Sequence, residues 1–300
     1  MKEQVNQIVK RLEQLKSFRA PWEQLWQDCT DYVNPRRGDF QHTKSRGSNA
    51  RFDKVFDSTA PLSNEQLASG LHGHLTNVSE RWFHLRLPGD QTSEGTHAFL
   101  QTAVEMMFDR CFNISESNFI TSVHELYLDL GAYGTAVIFV EDKPGKPIGF
   151  RSYHLADCYV AENHEGVVDT VYREYKHSAR QLMQLYSEVL PEKIKEIADK
   201  QPFQEFTCVH AVEPRADLNY DKKDKNNMPF KSCYVLVEEQ LMLKEGGFQE
   251  FPYMVPRWSK TAGEVYGRSP AMVCMPDIKM INEMMKTCLL YTSPSPRDIM

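Results

Sequence analysis

The N-terminal part of the chain, to about residue 131, is patterned mainly for helices. Apolar residues recur at three- and four-residue spacing over residues 1–16, which predicts an amphipathic helix with one buried face. A second helix is predicted to follow Pro21, because proline is favoured in a first turn, and Asn34-Pro35 is expected to end it. The same spacing predicts three more helices: one capped by residues 57–59, one over 96–112, and one over 117–130 that ends at Gly131 and Gly134.

A short strand is predicted between the third and fourth of these helices. Trp82, His84 and Arg86 alternate there with Phe83, Leu85 and Leu87. Pro88-Gly89 follows as a turn signal. The alternation predicts that residues 82–87 form a strand.

From residue 135 the apolar spacing changes to two, which is typical of strands. Strands near 136–140, 150–160 and 167–175, with tight turns at 143–147 and 163–166, predict an antiparallel meander. Ser178 is predicted to cap a helix, and Pro191 to open another. Further strands are predicted at 205–213, 231–238, 240–245 and 250–257, with Gly246-Gly247 as the last turn, and a final helix after Pro270 runs to about Thr287. The order predicts an α+β fold.

Composition places the chain among soluble globular proteins. Of the 300 residues 41% are apolar, and 35 basic residues face 41 acidic ones, which gives a net charge of −6. This mild acidity argues against a free-standing nucleic-acid binder held by charge. No membrane span and no signal peptide are expected, because no sufficiently long apolar run is present. The seven scattered cysteines predict reduced, buried thiols in a cytosolic setting.

One loop has a basic surface. Residues 36–54 carry six basic and two acidic side chains, and glycines lie among them. A solvated loop is one interpretation, and a contact with phosphate or a partner is the other. The candidate contact residues are Arg36, Arg37, Lys44 and Arg46.

No set of residues reaches the specificity of a catalytic, cofactor or metal site. His72 and His74 have no third ligand in the pattern. Residues 263–269 have the wrong glycine spacing, and an arginine in place of lysine, for a phosphate loop. Ser122, His124 and Asp129 lie within one predicted helix, where their side chains point to different faces. We therefore predict no enzyme, no cofactor and no bound metal.

Several segments together resemble the portal, or head-to-tail connector, proteins of short-tailed bacteriophages. They occur in family order from residue 1 to about 287, and the most specific is the last, PRW followed by GExYGRSPA. The matching segments are 19–26, 32–38, 56–61, 67–71, 81–85, 129–136, 154–160, 253–258 and 263–271.

The resemblance implies a structural role. Portals of this family are rings, usually of twelve subunits, at one capsid vertex, and double-stranded DNA passes through them during packaging and ejection. The implied partners are other copies of the chain, the terminase large subunit, the major capsid and scaffold proteins, and tail adaptor proteins. The implied location is the virion, after assembly in the host cytoplasm.

The resemblance also divides the chain. Residues 1–268 correspond to a wing region, with helices in 1–131 and antiparallel strands mainly in 135–258, and residues 269–287 to the start of a stem helix. Residues 288–300 resemble a translated adaptor sequence, so we expect this tail to be non-native and the chain to be the N-terminal half of a portal.

Two lysines of the stem helix are candidates for the DNA channel. We expect Lys279 or Lys286 to face the bore, although either could instead pair with a carboxylate of a neighbouring stem. The methionine-rich face of this helix, which contains Met272, Met275, Met284 and Met285, is expected to be uncovered. The alternative function is a virion or scaffold interaction protein that shares the wing fold but forms no channel.

Overall fold

The computed structural model describes residues 2–38, 40, 54–77, 79–87, 93–113, 115–143, 145–218, 224 and 227–292. Lys44 and Arg46 of the basic loop lie outside the described residues. The chain divides into two compact units. The sheet unit contains residues 1–22 and 155–253, and the helical unit contains residues 23–154 and 254–300. Helices and antiparallel sheets are both present, which confirms the predicted α+β class.

The sheet unit is built on a five-stranded antiparallel meander. Its strands pair in chain order, so each is joined to the next by a local connection. Two helices follow the second of these strands, and Ser178 and Gln181 form a capping box at the start of the first. The elements are β3 (Cys158–Glu162), β4 (Val168–Ser178), α5 (Ala179–Tyr186), α6 (Glu192–Lys200), β5 (Glu205–Pro214), β6 (Phe230–Leu236) and β7 (Leu241–Phe248).

The two faces of this sheet bury different helices. Val209 and Ala211 pack in one apolar cluster with Leu12 of the first helix, α1 (Lys2–Tyr32). Phe206 and Cys208 pack in another cluster with residues of α5 and α6. Successive strand residues point to opposite faces, so each face of the sheet has its own helical cover.

The helical unit contains most of the remaining helices and a second sheet. Its elements are α2 (Thr59–Leu75), α3 (Glu94–Met107), α4 (Phe119–Tyr133), β1 (Val137–Lys143), β2 (Lys146–Tyr153) and α7 (Pro270–Thr292), together with Met254 of β8 (Tyr253–Met254). Helices α2 and α4 pack together over Ala68 and Leu126, and the hairpin of β1 and β2 contributes Ile138 and Phe150 to the same core. The three-stranded sheet has the order β2-β1-β8.

Two turn and break signals of the sequence were wrong. Pro21 does not start a helix but lies inside α1, because Leu15 before it and Trp26 after it are both buried along the same helix. Gly246 and Gly247 do not form a turn but pair with Ser232 and Lys231 inside β7. The turn is made instead by the connection between β6 and β7, in which Gln240 has a φ of 48°.

Three predicted segments also differ in extent. Residues 82–87 form no strand, and the strand predicted over 250–257 is limited to Tyr253–Met254. Helix α7 continues to Thr292, five residues beyond the predicted end at Thr287. Among the described residues, no helix has the length and apolar character needed to cross a membrane.

A buried histidine makes the sheet unit sensitive to acid. The ring of His210 is 2% exposed, is within 2.9 Å of both Ser232 Oγ and Tyr253 Oη, and stacks on Tyr234. Burial is the main cause that lowers its pKa to about 3, and the nearby charges of Arg173 and Lys244 lower the pKa further. The folded unit therefore keeps this ring neutral.

We expect this histidine to reduce stability as the pH falls. Below about pH 6.5 the unfolded chain protonates His210 while the folded chain does not, so its stabilising contribution is complete above that pH and is lost progressively towards pH 3. Between about pH 7 and pH 5 the expected loss is about 2 kcal/mol. His210→Gln keeps polar groups at the site but does not titrate. Urea unfolding at both pH values should show a pH dependence smaller by that amount in the variant, and an equal dependence would contradict the assignment.

Candidate functional site

The last helix begins on a buried serine of the helical unit. Ser269 is 1% exposed, and its hydroxyl donates to the carbonyl of Ala132 at 2.8 Å and accepts from the backbone N–H of Met272 at 3.0 Å. Pro270 follows as the first residue of α7, where its missing N–H leaves no helical bond unmade. The serine therefore caps α7 and ties its start to the end of α4.

Two glycines allow this close approach. Gly134 ends α4 at a φ of 72°, and a Cβ at this position would lie 2.5 Å from the carbonyl oxygen of Gly267. Gly267 donates its N–H to Thr135 Oγ1 at 2.8 Å, and Trp258 donates its N–H to the carbonyl of Gly134 at 2.9 Å. Both glycines are needed because the two backbones touch without space for a side chain.

The middle of α7 holds a separate segment of the chain in place. Asn282 is 3% exposed, and its Oδ1 accepts from the N–H groups of Phe56 at 2.8 Å and Asp57 at 3.2 Å. Its Nδ2 donates to the carbonyl of Lys54 at 3.0 Å. One side chain thus satisfies three backbone groups just before α2 begins, and it fixes the rotation of α7 about its own axis.

An internal ion pair stabilises the residues that follow α1. Arg37 donates from Nε and Nη2 to the two carboxylate oxygens of Asp129, at 2.8 and 2.7 Å. The Asp129 side chain is fully buried, and the Arg37 side chain is 22% exposed. Burial raises the pKa of Asp129 to about 6, although Arg37 opposes the shift. At this carboxylate, desolvation therefore outweighs the pairing with Arg37.

The outer face of α7 carries an exposed apolar stripe. Its members lie seven and four residues apart, which is the spacing of side chains that pack between adjacent helices. We call these three residues the α7 stripe. They are Val273, Met280 and Met284, with exposed fractions of 76%, 57% and 64%.

A cavity lies beside the opposite face of the same helix. It has a volume of 230 Å³, and its walls include Leu67 of α2 and Cys274, Ile278 and Asn282 of α7. The lining is mainly apolar. Its chemistry fits an apolar side chain better than a reactive substrate.

The two channel candidates have different environments. Lys279 Nζ is 2.7 Å from Asp28 Oδ2 of α1, so this lysine is paired within its own chain. Lys286 Nζ is 3.3 Å from Glu283 Oε1, one turn away on α7, and both side chains are exposed. Lys286 is the more available of the two for an external anion, because an exposed pair of this kind holds its charge only weakly.

The structure also shows which of the other candidate residues are exposed and which are buried. Arg36 is exposed, whereas its neighbour Arg37 faces inward to Asp129 and has an internal role. Met284 and Met285 are exposed as expected, but Met272 and Met275 are buried, so the methionine face is not uniformly open. The prediction of buried thiols is wrong for two cysteines of α7, Cys274 and Cys288, which are exposed.

The serine, histidine and aspartate of α4 do not form the catalytic triad of a hydrolase. The hydroxyl of Ser122 donates to the carbonyl of Phe150 at 3.1 Å, and Asp129 is bound to Arg37. His124 faces His72 with the ring centroids 5.7 Å apart. Within the described ranges, no group of three or more metal-ligating side chains comes together.

The sequence did not reveal the residues that position α7. Asn282 looked like an ordinary polar residue of a helix, and its partners lie more than 220 residues away along the chain. The regular spacing of the α7 stripe is visible in the sequence. The methionines, however, occur on both faces of the helix, so their positions alone do not identify the exposed face. Only the fold separates the buried face from the exposed one.

Comparison with known proteins places the chain in a structural class of phage proteins. The family model described as bacteriophage head to tail connecting protein matches residues 5–294. Because this match covers nearly the whole chain, the chain belongs to that family.

Two curated relatives narrow the class to portal proteins. One is a probable portal protein of Bordetella phage BPP-1, and the other is the portal protein of Salmonella phage epsilon15. Each is 28% identical over 280 residues, which cover 91% of this chain and 50% of the relative. The chain therefore spans about half the length of these relatives. They belong to a structural, non-enzymatic family, which confirms the predictions of a portal resemblance and of no enzymatic role.

Proposed function

We propose that the chain is part of a portal subunit that assembles with other copies into a ring at one capsid vertex. The single observation that carries this function is the family match over residues 5–294. The two portal proteins among the relatives agree with it. In this function, twelve subunits surround a channel through which double-stranded DNA is packaged and ejected. The partners are the terminase large subunit, the major capsid and scaffold proteins, and the tail adaptor proteins. Assembly takes place in the host cytoplasm, and the finished ring belongs to the virion.

The α7 stripe supports this assembly on physical grounds. A ring built from one kind of subunit needs two different complementary faces on each copy. The stripe presents large apolar side chains at helix-packing spacing on a helix whose opposite face is fixed by Ser269 and Asn282. We therefore assign the α7 stripe to contacts between neighbouring copies.

A charge in the stripe should weaken this association. Met284 is 64% exposed, so Met284→Glu leaves the core of the helical unit unchanged while it places a carboxylate in the proposed contact. We expect about a tenfold or greater loss of subunit association by analytical ultracentrifugation. The matched control is Leu185→Glu on α5, where leucine is 59% exposed on a helix of the sheet unit. Equal association of both variants and the unaltered protein would contradict the assignment.

Of the two channel candidates, Lys286 allows the cleaner test. Lys279→Glu would place a second carboxylate beside Asp28 and disturb the fold, whereas the ionic partner of Lys286 is an exposed glutamate of the same helix. Lys286 Nζ also lies 5.7 Å from the ring centroid of Phe56, which is a weaker contact. We expect Lys286→Glu to change DNA packaging or DNA retention while rings still form. Lys200→Glu is the matched control, because Lys200 also pairs with a glutamate within its own helix. Intact rings with the packaging yield and DNA retention of the control would reject Lys286 as a residue of the bore.

A further inference from the structure

Residues 81–87 offer an unused strand edge. The sequence alternates there as in a strand, and the structure shows seven residues in succession without helix, turn or bend. Among the described residues, the backbone N–H and C=O groups of this segment have no backbone hydrogen-bond partners. Unpaired backbone groups along such a segment are a template for another strand.

Aromatic packing holds the start of this segment in place. The ring of Trp82 is stacked with Phe119 at a centroid distance of 6.0 Å and lies 5.2 Å from Phe112. The ring of Phe83 stacks on Phe108 at 4.9 Å. A partner strand would therefore meet a segment whose position is already fixed, which lowers the entropic cost of binding.

A cleft of 520 Å³ runs between this segment and α3. Its α3 wall consists of residues three, four and seven positions apart, which form one face of that helix. Leu85 and Leu87 line the cleft and are 43% and 46% exposed. The residues of the α3 wall are His97, Leu100, Gln101 and Val104.

The polar groups of the cleft are mainly basic. Arg81, His84, Arg86 and His97 all line it. Arg81 donates to Glu105 at 3.2 Å, but Arg86 has no ionic partner among the residues that the structure describes. A ligand with negative charge and an apolar component would complement this combination of basic and apolar groups.

We propose that this cleft binds an extended acidic peptide from a partner protein, by strand addition to residues 81–87. The free backbone groups would pair with the peptide backbone, the leucines would cover its apolar side chains, and Arg86 would face its carboxylates. A nucleic acid fits less well, because it would leave the backbone groups and the apolar lining unused. The proposal does not depend on ring formation.

The test uses the full chain and a defined probe. The probe is a fluorescent eight-residue peptide of alternating valine and glutamate with blocked termini, and binding is followed by fluorescence anisotropy. We expect saturable binding that Arg86→Glu weakens about tenfold or more. Arg180→Glu, at an exposed arginine of α5, is the matched control and should bind as the unaltered chain does. Absence of binding, or equal affinity of the two variants, would overturn the proposal.

Two further probes separate strand addition from simple charge attraction. The same peptide with an N-methyl group on every residue should lose binding, because it has no backbone N–H donor left for strand pairing. A valine–lysine peptide of the same length should not bind. Equal binding of the N-methylated peptide would exclude strand addition. Displacement of the acidic peptide by single-stranded oligothymidylate, with the oligonucleotide affinity also lost in Arg86→Glu, would overturn the proposal in favour of a nucleic-acid site.

Discussion

Gly134→Ala is expected to destabilise the helical unit by about 2–6 kcal/mol, through backbone strain and a steric clash. The φ of 72° at this position is unfavourable for any residue with a Cβ. In addition, the new methyl carbon would lie 2.5 Å from the backbone of Gly267 and Arg268, which cannot move without displacing the start of α7. Urea unfolding monitored by circular dichroism measures the loss.

Gly145→Ala separates the two causes. Gly145 lies in the turn between β1 and β2 with a φ of 80°, but a Cβ there would meet no atom of the described residues within 4 Å. We expect this control to lose only about 1–2 kcal/mol, which is the cost of the left-handed backbone alone. If both variants lose the same amount, the contact between Gly134 and the start of α7 does not carry the stability that we assign to it.

Arg37→Met is expected to cost about 3–5 kcal/mol near neutral pH, because it leaves the Asp129 carboxylate buried without its partner. Burial already raises the pKa of Asp129 to about 6, and removal of the arginine raises this pKa further. A raised pKa means that the folded chain takes up the proton more readily than the unfolded chain. The loss should therefore shrink as the pH falls through the raised value, and urea unfolding at about pH 7.5 and pH 5 measures this change.

The neighbouring arginine provides the control for this pair. Arg36 has the same side chain but is exposed, so Arg36→Met should change the free energy of unfolding by no more than about 0.5 kcal/mol. If the two variants have equal stability, Arg37 is a surface residue. That result would support the prediction from the sequence that Arg37 contacts a partner. If only Arg37→Met is unstable, its role is internal.

Local signals predicted the parts of the fold that depend on local chemistry. The Ser178 cap, the opening of a helix after Pro191 and the start of α7 at Pro270 each follow from one or two residues. Antiparallel pairing was also predictable where a short turn joins two strands, as between β1 and β2 and between β3 and β4. In these places the neighbouring residues determine the structure almost alone. The expected single meander was wrong, because the structure places these two pairs in different sheets.

Tertiary packing overrode local signals elsewhere. Pro21 would be expected to interrupt a helix, but buried side chains on both sides of it keep α1 continuous. Gly246 and Gly247 were expected to turn the chain, but the neighbouring strand β6 holds them in an extended ladder. The energy of these long-range contacts is absent from any short window of sequence.

In the candidate site, too, some features follow from the local sequence and others depend on long-range contacts. The α7 stripe could be found from spacing alone, and the resemblance to portals pointed to the helix that carries it. The pairing of Arg37 with Asp129 spans 92 residues, and that of Asn282 with Phe56 spans 226. Such distant partners become visible only when the fold brings them together, so the interior role of Arg37 was not predictable.

The most direct test of the portal assignment is the mass and shape of the assembled protein. Native mass spectrometry and electron microscopy of the protein expressed from its gene would give both. The portal function predicts closed rings with a single subunit number and an open channel. A monomer at every concentration tested would contradict it, and would favour an interaction protein of the virion or scaffold that shares the fold of the portal wing without forming a channel.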